Sequence, residues 1–509
     1  MKKYVLVLWV LLLASCATEQ QQQVSSQSSN GPSKPNIVIL FADDLGYGDL
    51  GSYGHPYHRT PHLDQLAQEG QRWTDFYVAA PVCSPSRGAL LTGKLPNRTG
   101  LYGRQIGVFF PNAEQGMPHA ERTMAEALGE QGYTSAIIGK WHLGDKPEFY
   151  PTRHGFDYWY GIPYSNDMDW AGELNFDELI MLQATEGPDA LRAAVVDRQK
   201  KYFDPKVEYW NVPIMRSRKL DDGSYEDAQV ERPAQQTELT KRHTAEALSF
   251  IEDHQDQPFL LYVPYSMPHT PIFASPDFSG RSIAGRYGDV IEELDWSVGQ
   301  IVEKIKALGL ADNTLIVFSS DNGPWLTMFQ HGGTAGLLKH GKGTTFEGGM
   351  RVPGIFWGPN LVQPGTVSHM GSTLDLYVTA LELAGANATP GVDGFDLSPT
   401  LSQQQPSARE TLMYYRQGEL RAIRKGKYKM HLVTEGAYGQ PPQRTVHDQP
   451  VLYNLQNDPA EKYDVAHEHP EIVSQLQTLV NQHKRELKEK PPLFDARLAK
   501  ILQPSNSQK

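Results

Sequence analysis

Cysteine is nearly absent: Cys16 and Cys83 are the only two in 509 residues, so no disulfide framework staples this chain. Cationic residues are not in surplus either. Lys and Arg number 47 against 59 Asp and Glu, a formal net charge of -12 at pH 7. Phosphate neutralisation needs clustered Lys and Arg, so this balance argues against nucleic-acid binding, while local positive charge leaves an anionic small substrate open. The apolar run near the start, residues 5–13, is too short to cross a bilayer. Internal repeats are not apparent. What remains is 39% hydrophobic and 21% charged, an ordinary soluble composition on a chain long enough for one large domain plus a smaller one.

The first residues read as an export signal. Lys2 and Lys3 precede the apolar run, which ends in Leu13-Ala14-Ser15-Cys16. That ending resembles a bacterial lipobox with Cys16 as the acylated residue; a plain cleaved signal is the alternative. Residues 17–34 are rich in Gln and Ser and have too little apolar content to offset their ordering entropy, so they read as a flexible tether. The expectation is a lipid-anchored protein of the bacterial periplasm or outer membrane. With Cys16 so used, Cys83 has no partner: it is either a buried inert thiol or a chemically employed one.

From Pro35 onward, apolar runs alternate with helical patterns, which predicts an α/β fold on a mainly parallel sheet. Asn36-Ile37-Val38-Ile39-Leu40-Phe41 is a continuous run, as expected of a strand covered on both faces. A helix is predicted from Pro61, with Thr60 as N-cap and Gly70 closing it. Further strands are predicted at 133–138, 259–263, 314–319 and 354–357, with helices at 123–131, 237–254 and 288–308.

Four of these strands end in chemistry. Asp43-Asp44 follow the first, Lys140 and His142 the second, His269 the third and Asp321-Asn322 the fourth. Ligands of open α/β sheets bind outside the carboxyl ends of strands, so one edge collects all these groups. Asp43, Asp44, Asp321 and Asn322 are hard oxygen donors that suit Ca²⁺, or less well Mg²⁺, rather than Zn²⁺. Asp-Asn-Gly is ordinary turn chemistry by itself. A second acidic pair at a strand end, which would repel without a cation, turns it into a candidate metal site.

Cys83-Ser84-Pro85-Ser86-Arg87 opens a predicted helix, with Pro85 in its first turn. Cys83 then sits beside free N–H groups that favour an anion, and Arg87 adds a fixed guanidinium fork. Sulfate and phosphate fit this equally well.

Cys-x-Pro-Ser-Arg followed by Leu91-Thr92-Gly93 resembles the maturation signal of the sulfatase family. Asp43-Asp44-Leu45-Gly46-Tyr47-Gly48-Asp49, Gly139-Lys140-Trp141-His142-Leu143-Gly144, Pro268-His269, Ser320-Asp321-Asn322-Gly323 and Gly341-Lys342-Gly343 extend the match in order. Within that family the pattern resembles arylsulfatase A and N-acetylgalactosamine-6-sulfatase. The resemblance implies an alkaline-phosphatase-like fold, a large sheet sandwiched by helices, over residues 35–400. It also implies a smaller C-terminal antiparallel sheet plus helix over 401–509. A maturation enzyme would oxidise Cys83 to Cα-formylglycine, and Asp43, Asp44, Asp321 and Asn322 would hold the metal together with residue 83. One hydroxyl of the hydrated aldehyde would attack sulfur with Asp321 as base, giving a covalent sulfate hemiacetal. Arg87, Lys140 and Lys342 would neutralise sulfate oxygens, His269 with Lys342 would assist the leaving alcohol, and His142 would trigger sulfate release. Ser165 matches a position that contacts the site in the family.

His331, His340 and Trp325 flank the Lys342 loop as candidate pocket residues. Residues 165–232 read as a surface insertion or a substrate-binding lid, with Trp170, Tyr209 and Trp210 as candidates for stacking on sugars. Beyond Leu401, short strands are predicted at 411–415, 420–424 and 428–432, then an amphipathic helix over 470–488. The expected substrate is a sulfated glycan. A phosphate or phosphonate monoester hydrolase and an inactive glycan-binding lipoprotein are the alternatives.

Overall fold

The structure, a computed structural model, describes residues 34–502; the export signal, Cys16 and all of the tether except Lys34 lie outside the described residues. Strand β1 (Asn36–Ala42) is buried along its whole length. Alternate side chains of a strand point to opposite faces. Ile37, Ile39 and Phe41 accordingly enter one apolar core, and Val38, Leu40 and Ala42 a second. Cover on both faces is why the run has no polar alternation.

Ten more strands join β1 in one sheet. They are β2 (Gln71–Tyr77), β3 (Thr134–Ile138), β4 (Tyr158–Gly161), β5 (Ile214–Lys219) and β6 (Tyr225–Glu231). The others are β7 (Phe259–Pro264), β8 (Thr314–Ser320), β9 (Arg351–Trp357), β10 (Gly365–Val367) and β11 (Gly371–Ser372). The order is β10-β2-β9-β8-β1-β7-β3-β4-β5-β6, with β11 also on β2. β8, β1, β7, β3 and β4 are mutually parallel. β9 runs antiparallel to both β8 and β2, so β2 points the same way as the parallel core. The predicted strands and the mainly parallel sheet are thus present. β2, β4 and the hairpin β5–β6 had no counterpart in the sequence reading.

Residues 165–232 are more regular than expected. They hold the helices Phe176–Glu186 and Pro188–Phe203, which have no fully buried residue, and then the β5–β6 hairpin that widens the sheet. Helices without a buried stripe carry little periodicity to read.

A separate sheet follows: β12 (Thr411–Arg416), β13 (Glu419–Lys425), β14 (Tyr428–Thr434) and β15 (Thr445–Asn454), all antiparallel. β15 was unexpected because Pro450 interrupts its pattern. It is an edge strand, where proline is tolerated, and its register with β14 breaks between His431 and Val433. The helix Pro470–Glu486 packs Leu476 and Val480 against Ile423, Met430 and Leu452 of this sheet.

The helix Pro61–Glu69 begins as predicted, but Thr60 does not cap it. Thr60 Oγ1 takes the Gly51 N–H at 2.9 Å and donates to Asp64 at 3.0 Å. The free N–H groups of Leu63 and His62 go instead to Asp295, at 2.8 and 3.2 Å, on the helix Gly285–Ala307. Gly70 ends the helix because a Cβ there would meet the Phe356 carbonyl oxygen at 2.0 Å, not because its φ demands glycine.

Burial pushes the Asp295 carboxyl up to about 7, with the two N–H donors opposing. A raised folded value means that its stabilising contribution is complete below the unfolded value of about 3.9 and is lost as pH rises through about 7. Between about pH 5 and about pH 8, wild type should therefore lose roughly 2 kcal/mol more unfolding free energy than Asp295→Asn. Urea unfolding of both proteins at each pH measures the difference; equal losses would show that Asp295 does not titrate in this range.

Candidate active site

The parallel strands β8, β1, β7 and β3 are neighbours, and Asp321, Asp43, His269 and Lys140 follow their C-terminal ends in that spatial order. β2 delivers the fifth segment, the helix Cys83–Thr92. Pro85 fits its first turn, where backbone N–H groups have no intrahelical acceptor, and Gly93 closes it in the left-handed conformation at φ 64°. Cys83 through Thr92 are all buried.

These segments bring together a fully buried set of opposite charges. Arg87 donates to Asp321 from Nε at 2.9 Å, with Nη2 paired to the same carboxylate at 2.8 Å, and from Nη1 to the Lys140 carbonyl at 2.9 Å. Lys140 Nζ lies 2.6 Å from Asp43 Oδ2 and 3.2 Å from Ser165 Oγ. Lys342 Nζ lies 2.8 Å from Asp44 Oδ2. Asn322 Nδ2 donates to Asp44 Oδ1 at 2.7 Å, and the Asp44 N–H to Asp321 Oδ1 at 3.1 Å. Cys83 Sγ is 3.5 Å from Asp43 Oδ1. Asp44 and His142 both hold positive φ, 66° and 61°, a strain that persists only where the surroundings over-determine the backbone.

Three carboxylates face three cations, yet the balance is uneven. Burial raises the Asp43 carboxyl, but Lys140, Arg87 and Lys342 bring it below its ordinary value. Burial pushes Asp44 up to about 7; Lys342 opposes this, while Asp43 and Asp321 add to it. Burial, and then Asp43, also raise Asp321. This excess of negative potential between Asp43, Asp44 and Asp321 is what a cation would relieve. Asn322 Oδ1 is buried without a hydrogen-bond partner, the condition of an amide oxygen suited to ligate. The residues therefore fit a hard divalent ion.

The four groups whose ligand atoms lie within 4.8 Å of one another are Asp43, Asp44, Cys83 and His269. His269 joins this group through Nε2, 3.5 Å from Asp44 Oδ2. Asp321, also expected among the ligands, accepts from Arg87 and the Asp44 N–H, just as Asp43 and Asp44 accept from Lys140, Lys342 and Asn322, so its carboxylate borders the same place. A second grouping among the described residues, Asp49, His55 and His58, is a brace rather than an open site. The Asp49 oxygens already accept from Gly46, Thr334 and the Tyr287 hydroxyl.

The histidines are set up differently from each other. His142 Nε2 meets the Phe109 carbonyl at 2.8 Å, which assigns the proton to Nε2, and leaves Nδ1 buried without a partner. Burial, Lys140 and Arg87 hold its pKa well below the usual value, so it is a neutral base. His269 Nδ1 lies 2.5 Å from the Thr270 carbonyl, leaving Nε2 as acceptor. Burial, Lys342 and Lys140 keep it neutral too.

Ser165 reaches the cluster through Lys140 and lies 3.4 Å from the His269 ring. Trp325 also reaches it, with Lys342 Nζ 4.5 Å from its ring centre. The contacts of the two other flanking histidines run elsewhere. His331 faces the Tyr202 carbonyl and the Phe203 ring, and His340 packs on Phe346. Of the proposed sugar-stacking residues, Trp210 is buried against Trp170 and Tyr209.

Sequence reasoning did not find the clasp behind Lys342. Lys429 of β14 donates to the Thr345 carbonyl at 2.8 Å and to Glu347 at 2.9 Å, and pairs with Glu461 at 2.9 Å. Glu461 accepts the Glu347 N–H at 2.7 Å, and its carbonyl takes Lys339 at 3.0 Å. The segment carrying Lys342 is thus held on both sides by the C-terminal sheet region. A lone Lys in an exposed-looking hairpin gives no sequence signal of this. Lys429→Met removes the one cation that Glu347 and Glu461 share in the interior and should cost about 3–5 kcal/mol in denaturant unfolding. Turnover by the folded fraction should fall as well; unchanged stability and turnover would remove the clasp from the account.

Comparison with known proteins agrees with this geometry. The family model described as Sulfatase matches residues 35–386, and that described as C-terminal region of aryl-sulfatase matches 407–508. The chain is 36% identical over 512 residues to N-acetylgalactosamine-6-sulfatase of Mus musculus, covering 93% of this chain and 92% of that one. It is 41% identical over 471 residues to arylsulfatase A of Homo sapiens, covering 87% of each. Among solved structures, PsFucS1 sulfatase from Pseudoalteromonas sp. superposes with a TM-score of 0.75 at 28% identity, over 89% of this chain and 90% of that one. Strand ends, charge cluster and both family matches lead to one conclusion: the chain belongs to the sulfatase family and is a sulfuric ester hydrolase.

Proposed function

We propose that the protein removes sulfate from a sulfated carbohydrate with a Cα-formylglycine made from Cys83 and a Ca²⁺ ion beside it. The observation that carries this reading is the state of the thiol. Cys83 lies at the centre of the charge cluster, yet burial, then Asp321, hold its pKa well above the ordinary value. Without a cation beside it, a thiol kept protonated is a poor nucleophile. Conversion by a maturation enzyme would supply a geminal hydroxyl for attack on sulfur, and a hard cation held by Asp43, Asp44, Asp321 and Asn322 would lower that hydroxyl's proton affinity.

The chain's own residues do the rest. Arg87, Lys140 and Lys342 present fixed positive charge to the sulfate oxygens. The cluster is neutral without an ion, so a divalent ion leaves a surplus that an anionic ester balances. Asp321 is the candidate base for the attacking hydroxyl. Burial works against the charge of Lys342, but Asp44 and the other acidic groups around it together keep it charged, and it donates toward the leaving oxygen. His269 becomes a donor at Nε2 once an anionic ester beside it favours protonation. His142 Nδ1, unpartnered and neutral, takes the proton of the second hydroxyl when sulfate departs. His331 and His340 are held as outer pocket residues only.

Relatives named N-acetylgalactosamine-6-sulfatase support a carbohydrate rather than a simple aryl ester. The same reading assigns residues 35–400 to catalysis and 401–509 to bracing it, and places the protein at a bacterial envelope through lipid on Cys16. Mass spectrometry of the peptide containing Cys83 should show it lighter by the difference between thiol and aldehyde, with sulfate released from a panel of sulfated glycans. An unconverted Cys83 in active protein from its natural host would sink the proposal. Turnover of phosphate or phosphonate esters alone would move it to that chemistry. Cys83→Ala should lower turnover on the order of 10³-fold or more, whereas a glycan-binding protein would keep its affinity. Chelation should abolish activity, and Ca²⁺ should restore it better than Mg²⁺.

A further inference from the structure

The sulfate end of a substrate is accounted for by Arg87, Lys140 and Lys342, and its bridging oxygen by His269 and Lys342. The carbon skeleton has to leave the site past these last two side chains. Two aromatic rings stand there. Trp325 lies 5.4 Å from the His269 ring, centre to centre, with Lys342 Nζ 4.5 Å from its own centre. Tyr438 lies 5.3 Å from Trp325 at 43°. Trp325 comes from the loop after β8, and Tyr438 from the β14–β15 connection of the small sheet.

Tyr438 has features of a working residue rather than a packed one. The residue is 47% exposed although its ring leans on the active-site loop, where a Cβ on Gly343 would meet it at 3.1 Å. Its backbone is left-handed at φ 54°, a conformation that costs a bulky residue on the order of 1 kcal/mol or more. The turn that holds it there is anchored. Arg416 donates to the Gly436 carbonyl at 2.8 Å and lies 3.4 Å from Glu435, and the Gly436 N–H reaches the Pro442 carbonyl at 2.8 Å. On the side of Tyr438 away from Trp325, a cavity of about 220 Å³, bordered by Val82, Pro85, Gly343 and Arg416 but not by Trp325, His269 or Lys342, gives the bound ring room to extend. An exposed ring fixed in advance over a cavity loses little entropy when a flat ligand face meets it.

We infer that Trp325 and Tyr438 form the platform on which the ring of the leaving alcohol stacks, so that sulfate esters of cyclic alcohols are selected over acyclic ones. This rests on the sulfatase reading above and adds the specificity element to it. The apolar C–H face of a pyranose lies against the two aromatic faces while its ester oxygen points at Lys342 and His269. Tyr438, supplied by the C-terminal sheet region, then sets substrate choice without touching the reacting atoms.

The test uses the matured, metal-loaded full chain and its Tyr438→Ala and Tyr438→Phe variants. The probes are a pyranose monosulfate, an acyclic alkyl sulfate and inorganic sulfate. KM is measured for each ester, or the inhibition constant where an ester is not turned over. Tyr438→Ala should weaken the pyranose sulfate roughly three- to tenfold, with the acyclic sulfate and inorganic sulfate unchanged and Tyr438→Phe close to wild type. Equal weakening of all three probes, or of none, would overturn the platform while leaving sulfate hydrolysis intact. Wild type that releases sulfate from no ester would bring down the parent reading, and the platform with it.

Discussion

Every feature of this site follows from having to keep six ionisable side chains out of water within a few ångströms of one another. Asp43, Asp44 and Asp321 are each almost fully buried, as are Arg87 and Lys140, and Lys342 nearly so. An isolated charge in such surroundings would be prohibitively costly, so each must find a partner at hydrogen-bond distance. The pairs Arg87–Asp321, Lys140–Asp43 and Lys342–Asp44 meet that demand. They also leave an uneven potential in which Asp44 is the least compensated carboxyl. The place where the protein's own charges balance worst is the place where a cation and an anionic ester improve the balance.

The sheet makes this arrangement affordable in conformational terms. Neighbouring parallel strands end at one edge, so residues far apart in sequence, such as Asp43 and Asp321, are placed by β1 and β8 lying side by side. The apolar cores on both faces carry the energy that holds those strands in register. Positive φ at Asp44 and His142 shows the backbone being forced into the geometry the cluster needs. Lys342 is the exception, because its loop belongs to no strand. The buried set of Lys429, Glu461, Glu347 and His431 does for that loop what the parallel strands do for the others.

This division gives the small sheet a role beyond covering apolar surface. Lys429 on its strand β14 braces the Lys342 segment from behind, and its β14–β15 connection places Tyr438 beside Trp325. Charge handling is thus concentrated on the large sheet, and the shape presented to the rest of a substrate is shared with the small one.

The amino-acid order alone determined the parallel sheet, the strand ends that carry Asp43, Asp44, Lys140, His142, His269 and Asp321, and the helix opened by Cys83. These are local statements: a run covered on both faces, a proline in a first turn and a polar group just past a strand are all written within a few residues. Thr60 shows the limit of such reading, since its capping role passed to Asp295, more than two hundred residues away. β15 was hidden by Pro450 until its position at a sheet edge made the proline tolerable. His269 within ligand distance of Asp43 and Asp44, the Lys429 clasp and the Trp325–Tyr438 pair were decided only by tertiary structure. Each is a contact between segments with no sequence periodicity in common, and burial creates it: a charge or ring removed from water takes whichever partner the packed chain brings within reach.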